Sequence, residues 1–154
     1  MDPQTEADLA QLIKDEIEES LTLDYKAADA LGKSDAKKTE ITKDVSAMAN
    51  SAGGILIYGI REHRDPARKH IPEAIDPVNR NDFPKEWLEH IINNIRPRLD
   101  GVRIVPINLN TSVSHVVYVV EIPQSDTAHQ AFDYRYHKRF NFESVPCAIM
   151  KSGT

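Results

Sequence analysis

Lys43-Asp44-Val45-Ser46-Ala47-Met48-Ala49-Asn50-Ser51-Ala52-Gly53-Gly54-Ile55-Leu56-Ile57-Tyr58-Gly59-Ile60 changes its hydrophobic period at the paired glycines. Upstream of them, Ile41, Val45, Met48 and Ala49 form one apolar stripe at helical spacing. Gly53-Gly54 stops that helix, because glycine reaches the conformations that end helices without a Cβ clash. Ile55 to Ile60 then forms a continuous apolar run of strand length, the pattern of a strand buried on both faces. A helix feeding directly into a central strand predicts a sheet with helices packed on it.

Working outward, Ser34 or Asp35 caps that helix, and Ala27 to Lys33 connects it to an earlier strand. In the strand, Leu21, Leu23 and Tyr25 alternate with Thr22, Asp24 and Lys26. Asp2 and Pro3 suit a helix start, and Leu9, Leu12, Ile13 and Ile17 predict an amphipathic helix over 3–17. Downstream, residues 61–80 read as a long charged connector containing Pro66, Pro72 and Pro77. Asp82 and Pro84 open a third helix with Trp87, Leu88, Ile91, Ile92 and Ile95 inward, and Pro97 ends it. Strands are expected at Val102–Leu109 and His115–Ile122, joined by Asn110-Thr111-Ser112, with a last extended segment from Phe132 to Phe140. The order α-β-α-β-α-β-β-β predicts an α/β (α+β) fold, a single domain with a mixed β-sheet and about three packed helices. The expected core holds Ile41, Val45, Met48, Ile55, Ile57, Trp87, Ile91, Val117 and Val119.

The 154 residues suffice for one core, and 40% hydrophobic with 28% charged residues is a globular composition. Residues 1–154 are therefore expected to form one domain, complete in itself or part of a longer protein. The longest apolar stretch, Val116 to Val120, is too short to cross a bilayer, so no membrane partner is expected. Cys147 is alone, which excludes a disulfide framework or a cysteine metal cluster and fits a cytoplasmic location. The net charge of −5 is unevenly distributed. Residues 1–24 carry eight acids against Lys14 alone, and the remainder carries 18 basic against 16 acidic groups. Total charge therefore does not exclude a phosphate-bearing partner, since local patches decide such binding.

Leu23-Asp24-Tyr25-Lys26, the helix–Gly-Gly–strand block, His129-Gln130 and Tyr136-His137-Lys138-Arg139 together resemble the Schlafen/AlbA-like family. Asp24 stands where glutamate is commoner in that family. The resemblance covers nearly the whole chain and implies a nucleic-acid-binding domain, for RNA or single-stranded DNA, working mainly through backbone contacts. For the Schlafen-type ribonucleases it further implies a three-carboxylate metal site, which falls here on Glu19, Asp24 and Glu62, with magnesium or manganese as cofactor.

The residues themselves support parts of that picture. Asp24 and Lys26 leave the same face of a strand, and an acid-x-lysine pair beside other carboxylates is half of many metal-dependent nuclease sites. Glu19, Asp24, Lys26 and Glu62 are thus the candidate catalytic residues; a surface ion pair with two solvated glutamates is the plainer alternative. Arg61, Arg64, Arg68 and Lys69 in the connector could meet a phosphate backbone. So could the final segment, with Arg135, His137 and Arg139 on one face and Lys138 on the other. Tyr134, Tyr136, Phe140 and Phe142 between these charges suit stacked bases of a single strand. ATP is not favoured: Gly53 and Gly54 end a helix, where carbonyls and not N–H groups point outward. His63, His70, His129 and His137 lack a recurring metal-ligand spacing. Three functions follow: a nucleic-acid-binding domain, a metal-dependent endoribonuclease, or a homo-oligomerising regulatory module without nucleic acid. A homodimer is expected because a late unpaired strand would leave an edge to cover.

Overall fold

The structure, a computed structural model, describes residues 2–140 and 143–147. Its elements run α1 (Glu6–Lys14), β1 (Leu23–Lys26), α2 (Asp35–Ala49), β2 (Gly54–Tyr58), β3 (Ile60–Glu62), β4 (Pro72–Ile75), β5 (Val78–Asn79), α3 (Lys85–Ile92), β6 (Arg103–Asn108), β7 (His115–Ile122), β8 (His137–Phe140) and β9 (Glu143–Pro146). A mixed five-stranded sheet follows the order β1-β2-β7-β5, with β6 also on β7. The β1 and β2 strands are parallel, with Asp24 opposite Leu56, and β2 runs antiparallel to β7. Two small antiparallel ladders, β3 with β4 and β8 with β9, complete the α+β domain.

Alternation along the strands divides the core in two. Leu56, Tyr58, Val116, Tyr118 and Val120 face α2 and α3, where Ile41, Val45, Met48, Leu88 and Ile91 cover them. Ile57, Val117 and Val119 face the other way and pack with Leu9 of α1, Tyr25, Ile60 and Ile107. The expected core residues therefore lie on opposite faces of one sheet, and Ile55 and Trp87 are only partly buried. Covering both faces explains why β2 and β7 read as nearly unbroken apolar runs.

At the deciding glycines the chain passes close to other backbone. Gly53 has φ +73°, and a Cβ there would lie 2.6 Å from the amide nitrogen of Gln124. A Cβ on Gly54 would collide with the carbonyl oxygen of Thr22. The residues just before them act as fasteners. The Asn50 amide donates to the carbonyl oxygens of His129 and His137 and accepts from the His129 N–H. Ser51 accepts from the Arg139 N–H, and Thr42 from that of Phe132. Three residues of one helix and its exit thus help to position the last quarter of the chain.

Several boundaries differ from expectation. The first helix starts at Glu6, capped by Thr5 in a capping box with Asp8, and not at Pro3. The first strand begins at Leu23. The 61–80 stretch is not a bare connector: the chain turns back after Glu62, and β3, β4 and β5 lie in or beside it. Alternation there is masked by charged and proline residues, which edge ladders tolerate. The third helix stops at Ile92, before Pro97. Only His137–Phe140 of the late segment is a strand; it pairs with β9 and is not left open.

Candidate functional site

The β1 strand places Asp24 and Lys26 on one face, as its period requires, but that face is not open surface. Asp24 is 3% exposed. Its Oδ2 accepts from Arg139 Nη1 at 2.8 Å, and Lys26 Nζ lies 3.6 Å away. Lys26 also lies 3.3 Å from Asp44 of α2, which accepts from the Ser144 hydroxyl at 2.9 Å. The Lys26 ammonium is held well above its ordinary range: burial opposes this, and the Asp44 and Asp24 carboxylates outweigh it. Arg139 further donates to the carbonyl oxygens of Ser20 and Leu21, so its fork clamps the turn that enters β1.

Beside this pair lies a second cluster. Glu19 Oε2 accepts from the Tyr25 N–H on the outer side of β1, and its Oε1 is 2.7 Å from His70 Nδ1. Glu62, at the end of β3, accepts from the His70 N–H through Oε2, which is 3.8 Å from His70 Nδ1. Ligand atoms of Glu19, Glu62 and His70 all lie within 4.8 Å of one another. Burial, then the hydrogen bond and charge of neighbouring Asp24, push the Glu19 carboxyl far above the usual carboxylate range. Such a group keeps its proton at neutral pH unless a cation replaces it.

Of the three carboxylates expected to hold a metal, Glu19 and Glu62 converge. Asp24 is instead engaged by Arg139 and Lys26, and His70 takes the third place. His70 carried no signal in the sequence because its approach depends on β4 pairing back onto β3, and on a positive φ of 76° at His70 itself. Two carboxylates with one imidazole fit a divalent cation.

The basic residues divide similarly. Arg61 bonds Glu73 at 2.7 Å and Arg68 bonds Glu16 at 2.6 Å. Arg64 and Lys69 are exposed and make no ion pair among the described residues. In the final segment Arg135 and Lys138 are exposed, whereas Arg139 and His137 are buried, the latter beside Asp133 at 3.3 Å. The expectation that Arg139 and His137 face a phosphate backbone is therefore corrected: alternation along β8 turns both inward. Tyr134 is 79% exposed, while Phe142 and the side chain of Phe140 lie outside the described residues. No helix among the described residues is long and apolar enough to cross a membrane.

A search of curated proteins finds no significant match. Among solved structures, the N-terminal domain of a protein related to the ATP-dependent DNA helicase RecG, from Nitrosomonas europaea, is similar at a TM-score of 0.52 and 16% identity, over 75% of this chain and 72% of that one. The DIP2311 protein of Corynebacterium diphtheriae is similar at 0.51 and 19% identity, over 82% of this chain. The match spans 22% of that longer protein. These identities establish likeness of fold alone. The profile of the Schlafen, AlbA_2 family matches residues 19–148, from the first glutamate of the carboxylate cluster to just past β9, and the chain belongs to that family.

Proposed function

We propose that this domain binds nucleic acid, RNA or single-stranded DNA, chiefly through the phosphate backbone. One observation carries the reading: two basic segments distant in sequence end on the same buried cluster. His70 arrives from the β3–β4 loop at Glu19, and Arg139 arrives from β8 at Asp24, Glu19's neighbour. The exposed Arg64 and Lys69 lie on the first segment, and the exposed Arg135 and Lys138 on the second. Membership of the Schlafen, AlbA_2 family and a fold shared with a RecG-related domain support a nucleic-acid-related role. The test is fluorescence anisotropy of labelled single-stranded RNA and DNA across a salt series. Changing Arg135 and Lys138 together to Ala is expected to weaken binding to all sequences and to flatten the salt slope by ~0.7 per lost contact. An unchanged slope would move the interface off β8.

A second reading, metal-dependent endoribonuclease, is favoured by the convergence of Glu19, Glu62 and His70. These residues would hold the cation, which supplies charge stabilisation and an activated water when bound. Lys26, held cationic between Asp24 and Asp44, would support negative charge on a phosphate nearby. Cleavage of tRNA with manganese or magnesium, lost in EDTA and in Glu62→Gln with binding retained, is the expected result. Intact tRNA with both metals would discard the nuclease and leave the binding domain.

A further inference from the structure

The nucleic-acid reading leaves the acidic start of the chain unused, and a polyanion would be repelled by it. Between α1 and the β1 edge lies a cleft of about 500 Å³, within the ~300–1,000 Å³ range of ligand clefts. Its apolar lining includes Leu12, Ile17, Leu23 and Ile55, and its acidic lining is Asp2, Asp8, Asp15 and Glu18. No Lys or Arg lines it, and none of the four acids makes an ion pair among the described residues. Asp8 caps α1, and hydrogen bonds from the Gln4 and Thr5 backbone hold its carboxyl below the usual range, so its charge persists.

Ile17 is 41% exposed at this cleft, and Leu21, four residues on, is equally exposed. The position of Ile17 is imposed by the fold: its carbonyl oxygen accepts from the buried Tyr25 hydroxyl at 2.7 Å, and its N–H donates to Leu12. Exposed apolar side chains held beside uncompensated carboxylates form a surface of two chemistries. Most of the cleft lining comes from residues before position 19, outside the stretch that the family profile matches.

We propose that this cleft docks a cationic amphipathic segment of a partner protein, apolar side chains on Leu12, Ile17 and Leu23, lysines or arginines on Asp15 and Glu18. Charge complementarity selects this occupant: the acids disfavour nucleic acid and anionic lipid, and the apolar floor would be wasted on a simple cation. The probe is a short labelled peptide of Lys and Leu with its leucines at helical spacing, against a scrambled peptide of the same composition. Anisotropy is expected to show the amphipathic peptide binding ~tenfold more tightly than the scrambled one, and that advantage lost in Asp15→Lys/Glu18→Lys and in Ile17→Ser. The three positions are surface-exposed, and unchanged thermal melts will verify that the variants fold. Equal binding of both peptides, or unchanged affinity in the variants, overturns the proposal.

Discussion

Arg139 satisfies three acceptors at once, the Asp24 carboxylate and the carbonyl oxygens of Ser20 and Leu21, with no side-chain exposure. Removing one partner of a buried ion pair leaves the other charged and desolvated. Arg139→Met is accordingly expected to cost about 3–5 kcal/mol, toward the lower end because Lys26 still faces Asp24. Urea titration measures it, and a loss below ~1 kcal/mol would show that Asp24 does not depend on the guanidinium. Glu19 makes a pH prediction. Its folded carboxyl is raised by burial first and Asp24 second, so above the ordinary carboxylate pKa the folded state holds a proton that the unfolded chain has released. The associated stability is fully present below that ordinary pKa and is lost as pH rises toward the folded value. In metal-free buffer, Glu19→Gln should flatten this decline and be relatively more stable at pH 8 than at pH 5. A mutant whose pH profile parallels the wild type would refute the assignment. At this scale Glu19, Asp24, Lys26 and Glu62 were visible in the sequence. Asp44 and His70 were not, because nothing local marks a residue whose partners lie on other elements of the fold.

Among the elements, β2 decides most. It pairs with β1 on one side and β7 on the other, and its alternate residues feed both cores. Ile57 is fully buried on the α1 face. Ile57→Ala should cost ~2–5 kcal/mol, read by denaturant titration, and a value near zero would mean the two-sided burial of β2 is wrong. The β3–β4 pair shows where elements escape sequence reading. Its strands are short, one opens with Pro72, and a register shift falls between Arg61 and Glu62. No run there is long enough to show a period, yet this hairpin carries His70 to Glu19. By contrast α2 and its exit were legible throughout, and their polar residues proved as structural as their apolar ones: Thr42, Asn50 and Ser51 tie down the late segment by side-chain hydrogen bonds.

For the whole molecule, the two small ladders place acid and base together. The β3–β4 hairpin brings Glu62 and His70 to Glu19, while β8, held on α2, brings Arg139 to Asp24. A divalent cation binding only the folded cluster must raise the melting temperature, since ligation of the native state shifts unfolding by mass action. Manganese or magnesium is expected to give such a shift, and Glu62→Gln to abolish it; no shift with either ion would remove the metal reading. Association also looks different once the ladders are seen. The late strand expected to seek a partner copy already has β9. The β6 strand lacks a second neighbour among the described residues, and Pro106 within it removes a backbone donor. Sedimentation at micromolar concentration tests the expected homodimer: a dimer would place its contact away from β8, and monomer alone would end that expectation.

The helix–Gly-Gly–strand unit, the β7 strand, the three helices and the family are legible in the residues alone, because each rests on local periodicity or on a contiguous motif. The sequence also marked most of the carboxylates, through the two-residue period of β1 and their places beside the strands. How those charges are used depends on long-range packing. Asp24 turned from expected metal ligand to partner of Arg139, and His70 from loop residue to neighbour of Glu19 and Glu62. Those outcomes depend on chain reversals that bring together residues 51 and 115 positions apart, and no periodicity within one segment encodes such a meeting.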